Sequence, residues 1–180
     1  MYGYDNFEAT EFTTTFTDSI NQKDKSLVRN IKEYLAIRCG MQEVYTYPWM
    51  NDVFVNAVLQ STDGVLKLST PPAPDMSCIR SSLLPNLCEA VAKNERYFND
   101  FSIFEEAQVF FDKNYTNAYD ETESLPEQRR HIGAAFASSV KDIGMLFREA
   151  KGVLEYMPRY THMEAYEFKK EEKPVWADNV

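Results

Sequence analysis

Basic residues are scarce in this chain. Its 180 residues carry 19 Lys and Arg against 28 Asp and Glu, a formal net charge of −9. No basic run breaks that balance: Lys169-Lys170 is followed at once by Glu171-Glu172. A phosphate backbone is gripped by clustered Lys and Arg, so direct nucleic-acid binding by this chain alone is not expected. Cysteine is equally thin. Cys39, Cys78 and Cys88 are odd in number and form no Cys-x-x-Cys pair, which reads as free buried thiols in a reducing compartment. Six glycines supply no Gly-x-Gly-x-x-Gly, no Walker-type loop and no Gly-x-Ser-x-Gly elbow, so dinucleotide, P-loop and serine-hydrolase chemistry have no signature here. No apolar stretch is long enough to span a bilayer. The start, Met1-Tyr2-Gly3-Tyr4-Asp5-Asn6, lacks the basic-then-apolar pattern of a signal peptide. A cytoplasmic protein without membrane contact is the expectation.

What is abundant is apolar and aromatic. Hydrophobic residues make up 44% and aromatics 14% of the chain. This length suits one domain with a sizeable core, and aromatics in such number fill cores or large interfaces.

Periodicity places the elements. From Asn21 to Cys39, Leu27, Ile31, Tyr34, Leu35 and Arg38 fall on one helical face, with Asp18 or Ser19 as cap and Gly40 as the stop. Met41 to Tyr47 reads as a strand ended by Pro48. Asn51 to Leu59 reads as a short helix. Asp63-Gly64 is a turn leading into a strand at 65–68, and Pro71 to Pro74 is a stiff loop. Ser82 is placed to cap a helix with Pro85 in its first turn and Leu84, Leu87, Cys88 and Val91 buried. Phe101 to Phe111 is the clearest strand, with Ile103, Glu105, Ala107, Val109 and Phe111 on one face. Residues 112–130 are polar and acidic and read as a surface loop. A strand at His131 to Ser138 follows, then a helix from Asp142 to Met157 with Ile143, Phe147, Ala150, Leu154 and Met157 inward, stopped by Pro158. A last strand is expected from Tyr160 to Glu167. Helices and strands interleave without a regular strand–helix rhythm. The pattern predicts an α+β fold, a mostly antiparallel sheet flanked by helices.

Few side chains invite chemistry. His131 and His162 have no partner at metal-ligand spacing and read as structural or surface histidines. Glu121, Glu123, Glu127, Glu171 and Glu172 read as solvated. Glu105 is the exception, because its neighbours on the strand face are apolar. A buried carboxylate needs a partner, and Arg80, at the entrance of the preceding helix, is the natural one. A structural pair is the favoured reading; a carboxylate lining a ligand pocket is the alternative.

Five segments, in order, carry a family resemblance: Tyr2-Gly3-Tyr4-Asp5-Asn6; Gly40-Met41-Gln42-Glu43-Val44-Tyr45-Thr46-Tyr47; Cys78-Ile79-Arg80-Ser81-Ser82-Leu83-Leu84-Pro85; Asn94-Glu95-Arg96 with Phe104-Glu105; and Phe147-Arg148-Glu149-Ala150-Lys151-Gly152-Val153 with Glu155. Together they resemble the synthetase-like core of the bacterial phenylalanyl-tRNA synthetase beta subunit, a class II synthetase fold that has lost its chemistry. The departures are Glu106-Ala107 after the Phe-Glu, a very short passage from Ser138 to Lys141, and an end at Trp176 to Val180 before the last part of that core. The resemblance implies residues 1–17 as an exit from a preceding domain and 18–180 as the core.

Class II catalysis uses one arginine after the motif 2 strand and a second in a Gly-rich motif 3, both to stabilise charge on phosphate. Here the strand runs into Phe110-Phe111-Asp112-Lys113, with no Phe-Arg-x-Glu, and a lysine is a point charge without the guanidinium fork. The implied role is architectural, with no catalytic residue and no cofactor or metal held by this chain. ATP and Mg would be used by the whole complex. The resemblance implies pairing with a catalytic alpha subunit in an (αβ)2 heterotetramer, with tRNA(Phe) bound mainly by other regions. The interface candidates are Leu27, Ile31, Tyr34, Leu35, Tyr45 and Tyr47, several of which also suit an intrachain core. A class II paralogue acting as a regulatory or ligand-binding domain is the second reading, and a free-standing ATP-using ligase the third.

Overall fold

The computed structural model describes residues 6, 10–15, 22–59, 61–116, 124–163 and 167–168. Helix α1 (Lys23–Glu33) continues without a break into a π-helical turn, Tyr34–Arg38. The turn closes where the Cys39 amide donates to the Tyr34 carbonyl (3.1 Å) and the Met41 amide to the Leu35 carbonyl (3.0 Å). Gly40 between them has φ +67°, a left-handed conformation that glycine adopts without a Cβ clash. The cap expected at Asp18 or Ser19 lies outside the described residues; Gln22 precedes the helix and its side chain makes no capping bond.

The sheet is built on a long antiparallel hairpin, β4 (Asp100–Thr116) with β5 (Ser124–Ser138), and the short β1 (Gln42–Glu43) joins β4 in parallel, giving the order β1-β4-β5. A second, two-stranded sheet pairs β2 (Trp49–Met50) with β3 (Cys78–Ile79). The α2 helix (Asp52–Val58) follows β2 and starts where the Asn51 side chain accepts from the Val53 amide at 2.9 Å. The α3 helix (Leu84–Asn94) precedes β4, and α4 (Ile143–Thr161) follows β5, capped by Asp142 accepting from the Met145 amide at 2.8 Å. The architecture is the expected α+β one.

Strand alternation explains the layering. Phe104 points to one face and meets Ile31, Tyr34, Leu35 and Met41, with Val153 and Met157 of α4 against them. Ile103 and Val109 point to the other and meet Leu83 and Leu87. Both faces of β4 are therefore covered, one by α1 and α4, the other by α3. Outside this sandwich, Met50, Val55 and Cys78 form a smaller cluster between α2 and the two-stranded sheet.

Several sequence expectations are corrected. The strand expected across 41–47 pairs only at Gln42–Glu43, with one further bond from the Val44 amide to Phe104; beyond it the backbone at Thr46 and Tyr47 bonds to the side chains of Glu105 and Asn86 instead. The strand at 65–68 reduces to a bridge between Lys67 and Cys78. The loop expected at 112–130 is largely strand, because the β4–β5 ladder runs out to Thr116 and Ser124. Ser82 accepts from the Leu84 amide (3.2 Å) in a local turn rather than capping α3, and Leu84 is exposed while Leu83 is buried. Pro158 does not stop α4, since the helix runs to Thr161. In the last turn a proline removes only one backbone bond, and the Thr161 hydroxyl donates to the Met157 carbonyl at 2.9 Å. The strand expected from Tyr160 is thus helix as far as Thr161. His162 follows in the left-handed region at φ 56°, and 164–166 lie outside the described residues.

The fit of α3 on the sheet turns on Gly133. It lies opposite Glu105 on β5, and a Cβ there would stand 2.8 Å from Leu87 Cδ1 and 3.2 Å from Leu83 Cβ. Both leucines are buried, so they have little room to give way. Gly133→Ala should lower stability by about 1–3 kcal/mol through overpacking, read as a lower midpoint in urea denaturation; an unchanged midpoint would show that α3 can slide.

Candidate functional site

Arg80 and Glu105 lie together, with Arg80 Nη1 3.1 Å from Glu105 Oε1. The local backbone explains the meeting. Arg80 follows β3 directly, its amide donates to the Pro48 carbonyl (2.8 Å), and its carbonyl accepts from the Phe110 amide (2.9 Å). This fastens it along the edge of β4 that β5 does not occupy. Its Nε donates to the Gln108 carbonyl at 2.7 Å. Glu105 receives two further donors from Thr46: the backbone amide to Oε1 at 2.9 Å and the hydroxyl to Oε2 at 2.7 Å.

The consequence is chemical. Glu105 is 1% and Arg80 7% exposed, and both carboxylate oxygens are held by donors of the chain itself. A pair this enclosed offers no open face to a substrate, and it satisfies the edge of β4 between Phe104 and Phe110. Thr46 is the member that sequence reasoning missed. It stands between two tyrosines in a stretch read as plain strand, and nothing local marks it as a partner of a residue 59 positions away. Asn86 is a second missed tie: its Nδ2 donates to the carbonyls of Tyr47 and Trp49, both at 3.0 Å, fastening that segment to α3.

The interface candidates divide. Ile31, Tyr34 and Leu35 are buried in the chain's own core, with Leu27 half-buried against it, and the Tyr34 hydroxyl donates to the Val153 carbonyl at 2.8 Å. These side chains have little surface left for a partner. Tyr45 and Tyr47 are 78% and 69% exposed. Tyr47 stacks on Trp49 with centroids 4.5 Å apart, and the Lys32 ammonium lies 5.5 Å from the Tyr45 ring centre. Lys32 also bridges Glu43 (2.6 Å) and Glu106 (3.2 Å). Burial works against its charge, but the hydrogen bonds to the two carboxylates outweigh that and raise its pKa. The α1 helix is thereby tied to both β1 and β4.

The inward face of α4 is the expected one only in part. Met157 packs inward as expected and Val153 joins it, whereas Ile143 and Phe147 are more than half exposed and Leu154 is 43% exposed. Burial pushes the Cys88 thiol up, which favours the protonated, less nucleophilic form. Among the described residues no three His, Cys, Asp or Glu side chains are grouped to hold a metal ion, and no helix is long and apolar enough to cross a membrane.

This frame has relatives. The family model described as the phenylalanyl tRNA synthetase beta chain CLM domain matches residues 8–179. The phenylalanine–tRNA ligase beta subunit of Carboxydothermus hydrogenoformans is 34% identical over 140 residues, covering 73% of this chain and 16% of that protein. The corresponding subunit of Clostridium tetani is 24% identical over 179 residues, covering 95% of this chain and 21% of that protein. The chain thus spans a small part, 16–21%, of the length of these two curated relatives. Among solved structures, the Desulfitobacterium hafniense pyrrolysyl-tRNA synthetase PylSc matches with a TM-score of 0.58 at 11% identity, covering 86% of this chain and 50% of that one. The Giardia lamblia prolyl-tRNA synthetase, solved with prolyl-adenylate, matches with a TM-score of 0.53 at 10% identity, over 75% and 28%. At such identities the likeness concerns the fold, which is that of the tRNA synthetases. With a family match running through nearly its whole length, this chain belongs to the phenylalanyl-tRNA synthetase beta chain family, in its CLM domain.

Proposed function

We propose that this chain is the non-catalytic core of a phenylalanine–tRNA ligase beta subunit and supports a catalytic alpha subunit in charging tRNA(Phe). The observation that carries the reading is the closed Arg80–Glu105–Thr46 network. In a fold shared with adenylate-forming synthetases, the buried carboxylate of the central strand and the arginine beside it bond to their own chain and are shut off from solvent. In this reading the pair is structural, and ATP and Mg are used by the whole complex rather than held here. The partner is the alpha subunit in an (αβ)2 assembly in the cytoplasm, and tRNA is gripped mainly by other regions, in keeping with the net charge of −9.

Tyr45 and Tyr47 are the candidates still open to a partner, and exposed aromatics are the residue type that anchors interfaces. Co-expression with the cognate alpha subunit tests the reading. A stable complex is expected, and the double variant Tyr45→Ser, Tyr47→Ser should weaken it by about tenfold or more, with only a small fall in the melting temperature of the chain alone from the lost Tyr47–Trp49 stack and Lys32–Tyr45 contact. Failure to co-purify with a folded alpha subunit would count against the scaffold. Phenylalanine-dependent ATP–pyrophosphate exchange by the purified chain alone would overturn its inertness.

A further inference from the structure

A groove of about 580 Å³ opens where the π-helical end of α1, the start of β4, the end of β5 and the middle of α4 meet. That volume is within the range of small-molecule sites. The groove lies on the face of the sheet away from α3 and apart from the Arg80–Glu105 pair, and nothing in the scaffold reading uses it.

Its charges are unequal in their engagement. Lys141 is held by Asp100 and Glu149, each at 2.9 Å, so its charge is already matched. Arg38 has no carboxylate within salt-bridge distance among the described residues. Its guanidinium lies 5.2 Å from the ring centre of Tyr160, and Tyr160 in turn packs on Tyr34 with centroids 5.1 Å apart. A guanidinium resting on an aromatic face keeps its forked N–H donors directed outward in its own plane, the geometry that meets a carboxylate. Beside it, Tyr156 and Tyr160 remain 56% and 45% exposed, and Phe136 also lines the groove. Aromatic walls and one cation without a carboxylate partner among the described residues favour an anion with a flat apolar body.

We propose that this groove binds a small aromatic carboxylate, with Arg38 taking the carboxylate and Phe136, Tyr156 and Tyr160 enclosing the ring. The bland use of the same residues is packing: a cation at a helix C-terminus is favourable on its own, and Arg38 on Tyr160 would brace α1 against α4. The two uses part in a binding experiment.

The test is an NMR titration of the whole chain with hydrocinnamate at millimolar concentration. Phenethylamine, with the same ring and an ammonium, and propionate, with the carboxylate and no ring, serve as comparators. Hydrocinnamate should shift resonances of residues 38, 102, 136, 156 and 160 in a saturable way, and both comparators should bind at least about tenfold more weakly. Arg38→Gln should weaken hydrocinnamate by about tenfold while leaving the complex with the alpha subunit unchanged and lowering the melting temperature only slightly, through the lost contact with Tyr160. Tyr160→Leu should weaken hydrocinnamate and propionate unequally, the ring-bearing probe losing more. The proposal is overturned by no saturable shift with hydrocinnamate, by equal binding of phenethylamine, by shifts centred elsewhere on the chain, or by an unchanged affinity in Arg38→Gln. Each of these results is independent of whether the chain pairs with an alpha subunit, so the groove and the scaffold can fail separately.

Discussion

Arg80→Met is expected to destabilise the chain by about 3–5 kcal/mol, because it removes the cation from a buried carboxylate that keeps its place. Glu105 would remain 1% exposed with only the Thr46 amide and hydroxyl as donors. The Gln108 carbonyl would lose the Nε donor it accepts from at 2.7 Å, and an orphaned buried acceptor adds about 1–3 kcal/mol. The second variant makes the argument specific. Glu105→Gln in the Arg80→Met background removes the uncompensated charge but keeps an oxygen for Thr46, so the double variant should be more stable than Arg80→Met alone. Urea denaturation of the single and double variants measures both quantities. A loss below about 1 kcal/mol for Arg80→Met would place the pair among contacts that contribute little, as exposed ion pairs do. A double variant no better than the single would assign the loss to packing rather than charge.

Phe104→Ala should cost about 3–5 kcal/mol, the range for a large aromatic removed from a core that relaxes only in part. Phe104 is wholly buried and stands where α1, β1 and β4 meet, against Ile31, Tyr34, Leu35 and Met41. The backbone on either side cannot collapse into the space, because β4 is held by β5 on one edge and by β1 on the other, with the Phe104 carbonyl accepting from the Val44 amide at 2.8 Å. Against a total stability of about 5–15 kcal/mol for an ordinary domain, either variant removes a large share. The two should also differ in kind. Phe104→Ala opens a dry cavity, so Phe104→Leu should restore much of the loss, whereas no apolar residue at position 80 alone can neutralise Glu105. Equal midpoints for Phe104→Ala and Phe104→Leu would mean that the core had closed over the space.

Local features of the chain were enough for a good part of this. The alternation from Phe101 to Phe111 announces a strand with a carboxylate on an apolar face, and that alone demands a buried partner. Asn51 before an apolar run, and Gly40 after one, mark helix ends through bonds made within a few residues. Five family-like segments in the right order point to the synthetase-like fold without any contact being known.

What failed to read shares one physical cause. On the β5 side of the outer ladder Gln128, Arg129 and Arg130 are exposed, so that strand is held there mainly by cross-strand backbone bonds and leaves no hydrophobic alternation to detect. Pro158 looked like a stop because its cost is local, while the helix beyond it is kept by packing. The α4 helix carries apolar residues on two sides, and its own sequence does not say which turns inward. The Tyr34 hydroxyl on the Val153 carbonyl and the packing of Met157 on the same cluster orient it, leaving Ile143 and Phe147 outside.

By itself, then, the sequence determined the central strand and most of the helices, the need for a counter-ion at Glu105 and the family, since each is written in residues a few positions apart or in an ordered set of short motifs. Only the tertiary structure decided that Thr46 completes the Arg80–Glu105 network, that Ile31, Tyr34 and Leu35 belong to the chain's own core, and which face of α4 meets solvent. Each of these is a choice between contacts that local propensity leaves equal, and it is made by the partner that a distant segment brings into reach.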